Sequence, residues 1–186
     1  MLSENSVAFK EWAVVVQALL SGEQTVIFRK GGIHEREGEF SVDHREFFLF
    51  PTYTHQQVSK VRPKAGRGFE GLEKSRPPEG WIRLEGYASV EENRLIGDPE
   101  VLDRLSGEHI LSPAALSERF HQDIPGIHLL MVRVYRFGPE ILQMRSEYGG
   151  CRSWVEFDRS LSTSGARKVL EDADFEKRRE AILGCL

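Results

Sequence analysis

A chain of 186 residues, 40% hydrophobic and with eleven phenylalanines, is long enough for one domain whose core withdraws about two-thirds of the unfolded surface from water. Charged residues of both signs make up 29%, which excludes a disordered polyelectrolyte. The net charge of -4 argues against a generic polyanion binder and leaves a local basic face as the route to nucleic acid. No apolar run is long enough to span a bilayer, and the opening MLSENSVAFKEW lacks the basic and apolar regions of a signal peptide. Cys151 and Cys185 are too few for a disulfide framework or a four-cysteine zinc site. The expectation is a cytoplasmic protein with reduced thiols and no membrane partner.

In chain order, Ser6 to Trp12 reads as a short helical lead-in with Ser6 as cap. Ala13 to Leu20 (AVVVQALL) and Thr25 to Lys30 (TVIFRK) are β-branched runs around Ser21-Gly22-Glu23, the signature of a hairpin. Gly31-Gly32 ends the second strand. Ile33 to Glu46 is polar and reads as loop. Phe47 to Phe50 (FFLF) reads as a buried strand closed by Pro51. Val61 to Pro78 carries three prolines and three glycines, and Lys60 to Arg76 holds six basic residues against Glu70 and Glu73. This basic Gly/Pro-rich loop, 61–79, would join an N-terminal half, 1–60, to a C-terminal half, 80–186, within a single domain 1–186.

Trp81 to Val90 alternates as a strand does. Asp98-Pro99 and Ser112-Pro113 each place a cap before a first-turn proline, predicting two helices. Ile127 to Phe137 reads as a strand, Gly138-Pro139 as its turn, and Glu140 to Arg145 as the returning strand. Cys151 to Phe157 is a further strand, with Cys151, Ser153, Val155 and Phe157 on one side. The tail from Ser164 to Leu183 reads as a helix, with Asp172 as an internal cap. The two strand–turn–strand–Gly-Gly stretches, Val14 to Gly32 and Leu130 to Gly150, echo one another as a duplication would. The resulting architecture is α+β: a mixed or mainly antiparallel sheet built from two hairpin-like units, with helices between them and a C-terminal helix.

The stretches FKEWAVVVQALL, FRKGGIHE, FFLFPTYTHQ and YGGCRSWVEF resemble a bacterial family of unknown function, DUF1802. The resemblance spans nearly the whole chain and implies no particular activity. Its family-like positions are Lys10, Glu11, Trp12, Arg29, Lys30, Gly31, Gly32, Glu35, His44, Pro51, Thr52, His55, Gln56, Gly149, Gly150, Cys151, Ser153 and Trp154.

Phe28 to Gln56 concentrates the chain's reactive side-chain types. Arg29 and Lys30 beside Gly31 and Gly32 suit phosphate or carboxylate, since side-chain cations and close backbone amides both favour an anion. It is not a Walker sequence. Glu35, Glu39, His44, Glu46 and His55 offer a general acid/base pair or ligands for a divalent metal, although the histidine spacing matches no compact metal motif, and Lys30 joins His44, His55 and Glu35 as a candidate catalytic group. Thr52 and Gln56 add donors and acceptors just after a buried strand. Cys151, between Gly150 and Arg152, is a candidate nucleophile if a histidine stands near it. The Lys60–Arg76 loop, with Arg133, Arg136, Arg145 and Arg152, offers a basic face on an acidic body, and Phe69, Tyr53 and Tyr135 could stack on bases.

The first functional expectation is therefore a protein acting on DNA, RNA or a nucleotide phosphate, as a phosphodiesterase- or nuclease-like hydrolase. Arg29, Gly31, Gly32, Thr52, Gln56 and Arg152 would hold the ligand, and the loop 61–79 would close over it. The alternatives are a non-catalytic, PUA-like nucleic-acid-binding module and a structural or partner-binding homodimer.

Overall fold

The computed structural model describes residues 1–30, 42–63 and 68–186. Its chain begins with a strand, β1 (Glu4–Trp12), where the sequence suggested a helical lead-in. The reason is two-sided burial. Ala8 and Phe9 are both fully buried but belong to different hydrophobic clusters, as successive residues of a strand covered on both faces must. Helix α1 (Ala13–Leu20) follows at once, on the run expected to be a strand. Every residue of α1 except Gln17 is buried, and a helix apolar all round belongs in a core. There, packing outweighs the weak helix propensity of Val14, Val15 and Val16.

Ser21-Gly22-Glu23 is accordingly a helix end and not a hairpin turn. The Gly22 N–H reaches Leu19 O at 3.2 Å and the Glu23 N–H reaches Ala18 O at 2.9 Å. Gly22 sits at φ 72, the left-handed step that this capping arrangement needs.

The remaining elements are β2 (Val26–Arg29), β3 (Glu46–Thr52), α2 (Gly68–Ser75), β4 (Trp81–Ile96), α3 (Pro99–Arg104), α4 (Pro113–His121), β5 (Ile127–Gln143), β6 (Trp154–Ser162), β7 (Arg167–Lys168) and α5 (Asp172–Leu183). Among the described residues, the strands form one seven-stranded sheet in the order β2-β5-β4-β3-β1-β6, with β7 also on β5. The pair β1–β3 is parallel and the others are antiparallel. The α+β architecture, mostly antiparallel sheet and C-terminal helix read from the sequence are thus present. Among the described residues, no helix is long and apolar enough to cross a membrane.

The run FFLF is apolar throughout because both faces of β3 are covered. Phe47 and Leu49 enter one cluster, with α1, while Phe48 and Phe50 enter the other, with Tyr87, Tyr148 and Phe157. Pro51 does not end the strand; it pairs opposite Glu11 within the β1–β3 ladder. Both proline-led helices start where expected: Asp98 accepts from the Glu100 N–H and Ser112 from the Ala115 N–H. Gly138-Pro139 does not turn the chain. β5 runs through it, and its pairing with β4 slips between Leu84 and Gly86, a bulge that accommodates a proline without a ladder donor. The echo between Val14–Gly32 and Leu130–Gly150 is lost on both sides, since one stretch opens with a helix and the other contains no hairpin turn.

Cys151 precedes β6 and is exposed, while Ser153, Val155 and Phe157 keep the inward alternation. Asp172 is the first residue of α5, not its cap, and is held by Lys168 and Arg133.

Helix α1 lies so close to β4 that a Cβ on Gly86 would come within 2.8 Å of Leu20 Cδ2 and 2.9 Å of Leu49 Cδ1. Gly86→Ala is therefore expected to lower unfolding stability by about 1–3 kcal/mol through overpacking. Urea denaturation checks this, and an unchanged midpoint would mean that Leu20 and Leu49 repack freely.

The two outer strands of the sheet path meet through side chains. Arg29, the last residue of β2, donates from Nε to Ser153 Oγ, just before β6, at 2.8 Å, and its guanidinium lies 5.1 Å from the Phe9 ring centre. The sheet has curled until its edges touch, and the touching point borders the site described next.

Candidate anion-binding cleft

Three strands end around one hollow of about 490 Å³: β1 at Trp12, β3 at Thr52 and β2 at Arg29. The loop Tyr148–Arg152 and the segment Thr54–His55 complete its wall, with Phe50 and Met144 as the apolar part. Loops held at strand ends by a rigid sheet are where binding groups concentrate.

Lys10 is one of its lining residues. Its position in β1 points it to the Phe50 side of the sheet, where Nζ lies 5.8 Å from that ring's centre. Nζ donates to Gly149 O and Gly150 O, both at 3.0 Å. Two of the three ammonium donors are thereby used, leaving one. The residue is only 8% exposed. Burial holds its pKa below the ordinary lysine value; Arg152 and Arg29 push it the same way, and Cys151 partly offsets them. Those like charges share the cleft with it.

The acidic partner one residue on is engaged elsewhere. Glu11 is buried and accepts the Trp12 N–H at 2.7 Å. It also supports the charge of Arg119, which is disfavoured chiefly by burial. Arg119 lies over Trp12 at 4.3 Å and donates to Phe28 O. Among the described residues, none of Lys10, Arg29 and Arg152 has an ion-pair partner. Three cations facing one hollow without a carboxylate of their own make an anion site.

The loop after β3 is fastened to the same corner. Thr52 Oγ1 donates to Glu11 O at 3.1 Å, and Gln56 Oε1 accepts the Val14 N–H in the first turn of α1 at 3.2 Å. Between them His55 takes φ 65, a left-handed turn that histidine tolerates better than most residues.

Of the residues singled out in the sequence, the structure brings Arg29, Thr52, His55, Cys151 and Arg152 to this cleft, with Gln56 beside it. Lys30 is not among them. Its ammonium donates to Phe120 O, Ile124 O and Gly126 O, around the C-terminal end of α4, where a cation suits the exposed carbonyls. His44 stands before β3 with its ring 5.2 Å from Trp154, whereas His55 follows β3, so a whole strand separates the two histidines. Glu35, Glu39, Gly31 and Gly32 lie outside the described residues. Among the described residues, no group of three His, Cys, Asp or Glu side chains converges to hold a metal ion.

Much of the expected basic face is neutralised. Lys60 pairs with Glu118, Arg145 with Asp158, and Arg133 with Glu91, Asp172 and Glu176 while lying 3.9 Å above Phe175. Sequence reasoning passed over Lys10 and Glu11 as site residues. The available signal was a pair of opposite charges set between Phe9 and Trp12, inside an otherwise apolar run.

The chain belongs to the family described as Domain of unknown function (DUF1802), whose model matches residues 8–181. No curated protein matches the chain. Among solved structures it is similar to those of ASCH from Zymomonas mobilis. One mutant form is 14% identical, covering 94% of this chain and 96% of that one at a TM-score of 0.46. Another structure of ASCH from that organism is 17% identical, covering 76% and 88% at a TM-score of 0.41.

Proposed function

We propose that the protein is a non-catalytic binding module for nucleic acid, gripping backbone phosphate in the cleft of Lys10, Arg29 and Arg152. The observation that carries this reading is the convergence of those three cations, one of them desolvated, around a hollow whose only carboxylate among the described residues, Glu11, already serves Arg119 and the Trp12 N–H. A phosphate offers several acceptor oxygens and a full negative charge. Successive phosphates of one strand would engage the remaining Lys10 donor and the guanidinium forks of Arg29 and Arg152, about one phosphate contact to each cation.

Binding is favoured over hydrolysis because the groups expected to share acid/base work stand apart. His55 lines the cleft, while Lys30 is held by carbonyls near α4 and His44 stands at the other end of β3. Cys151 remains at the rim as the one thiol that a covalent reaction could use.

The test is the salt dependence of oligonucleotide affinity. Three phosphate contacts correspond to about a twentyfold to fortyfold loss of affinity between roughly 50 and 200 mM salt. Arg152→Gln removes an exposed side chain at the rim and should lower the slope of that dependence by about 1, without changing stability. No binding at low salt, or a slope unmoved by the substitution, would overturn the reading. Cleavage of the oligonucleotide in the same mixtures, with or without added divalent metal, would restore the hydrolase.

A further inference from the structure

The cleft does not stop at Met144. A second hollow of about 210 Å³ shares Phe50, Thr52, Thr54 and Met144 with it and continues to Tyr53, Arg76 and Trp81. The two form one groove: one end gathers Lys10, Arg29 and Arg152, and the other presents Tyr53 and Trp81 beside Arg76, Glu79 and Arg83.

Trp81 is the unusual member. It is 48% exposed although it opens a long strand. Its backbone is fixed on both sides. The Trp81 N–H reaches Pro78 O at 3.1 Å, the Met144 N–H reaches Gly80 O at 2.7 Å, and Trp81 pairs with Gln143 across the β4–β5 ladder. Gly80 supplies the left-handed step at φ 83 that the approach to the strand requires. The indole is therefore presented on a rigid mount, with open apolar surface that folding has not buried. Across the groove, the Arg76 guanidinium lies 4.9 Å from the ring centre of Tyr53, so that ring already has a stacking partner and Trp81 is the face open to a ligand.

We propose that this end of the groove is a base-stacking subsite, and that the ligand is a single-stranded nucleic acid with backbone phosphates at Lys10, Arg29 and Arg152 and a neighbouring base laid on Trp81. The proposal rests on the phosphate reading of the cleft. It adds strandedness, because only an unpaired base can offer its face to an indole. Bases inside a duplex are covered on both sides by their neighbours. It also adds sequence tolerance, because every base has such a face; Pro77, Pro78 and Met144 line this end together with Glu79 and with Arg83, which is already paired with Glu85.

The experiment is titration of the full chain with a labelled ten-residue oligo-dT and with a hairpin duplex of similar charge, at low salt, reading anisotropy and intrinsic tryptophan fluorescence. The single strand should bind at least tenfold more tightly than the duplex and quench the fluorescence. Trp81→Ala should lose about tenfold to hundredfold in affinity for the single strand and most of the quenching, and Trp81→Phe should recover part of the affinity. Thermal unfolding confirms that both variants remain folded. Equal affinity for strand and duplex, or unchanged single-strand affinity in a folded Trp81→Ala variant, overturns the stacking subsite while salt-dependent phosphate binding stands. A wild-type chain that binds neither oligonucleotide overturns the phosphate reading and the subsite with it. Capture of an acidic phosphopeptide in place of the oligonucleotide would assign the groove to a protein partner and overturn both.

Discussion

Replacing Lys10 with methionine should weaken oligonucleotide binding by about tenfold to hundredfold, the worth of a charge-assisted hydrogen bond of about 1.5–3 kcal/mol, and leave the protein folded. The two halves of that expectation have different origins. Affinity falls because Lys10 lines the cleft with only 8% of its surface exposed, and burial already disfavours its charge before a ligand arrives. An anion meeting a partly desolvated cation has less hydration to displace. Stability is spared because methionine keeps the unbranched stem over Phe50, and because the carbonyls left behind belong to Gly149 and Gly150, at the partly open rim of the loop, where water can replace the ammonium. Removing a buried charge also removes its desolvation cost, so the net change in unfolding free energy should stay within about 1 kcal/mol. Anisotropy titration and urea denaturation of the same preparation read both quantities. Unchanged affinity in a folded Lys10→Met chain would show that the phosphate lies elsewhere. A collapse of stability would show that Lys10 chiefly ties down the Tyr148–Arg152 loop.

Lys10 also shows why parts of the site were legible in the sequence and others were not. Arg29, Thr52, His55, Cys151 and Arg152 come from residue types next to glycine turns or strand ends, and such local signals survive folding. Lys10 gains its importance from curling of the sheet, which carries the end of β2 and the loop before β6 onto the end of β1. The charges of Lys10 and Glu11 inside an apolar run mark an anomaly, but they do not record which distant segments meet there. The fold divides in the same manner. FFLF, the strand opening at Trp81 and the caps at Asp98 and Ser112 are determined by neighbours in the chain. AVVVQALL is not. Its β-branched composition favours a strand, and only the all-round burial of α1, with Gln56 meeting the Val14 N–H from 42 residues away, makes it a helix. Gly138-Pro139 carried a turn signal that the β4–β5 ladder absorbed as a bulge. Lys30 illustrates a related point: a cation beside Gly-Gly suits phosphate, and the carbonyls near the end of α4 supply the same negative potential from within the chain.

Acid should destabilise the protein through one histidine that lines neither hollow of the groove. His109, between α3 and α4, is 5% exposed, and its ring meets Phe28 edge-on at 5.0 Å. The Leu111 N–H donates to its Nδ1 at 3.1 Å, so the neutral ring carries its proton on Nε2, and protonating Nδ1 would break that bond. Burial, reinforced by the Arg62 guanidinium, pushes its pKa down to about 4 from the ordinary 6.5. The folded state therefore binds the proton more weakly than the unfolded chain does. The stability associated with the neutral ring is fully present above about pH 6.5 and is lost as the pH falls toward about 4, a total of about 3 kcal/mol. His109→Asn removes the titration while its side-chain oxygen can still accept the Leu111 N–H. Urea unfolding of both chains across that window should show wild type losing stability more steeply than the variant by about that amount, since the carboxylates that also titrate there are common to both. Parallel losses would mean that His109 is protonated as readily in the folded protein as in the unfolded one, and that the small cavity it shares with Arg62 and His121 admits enough water to solvate an imidazolium.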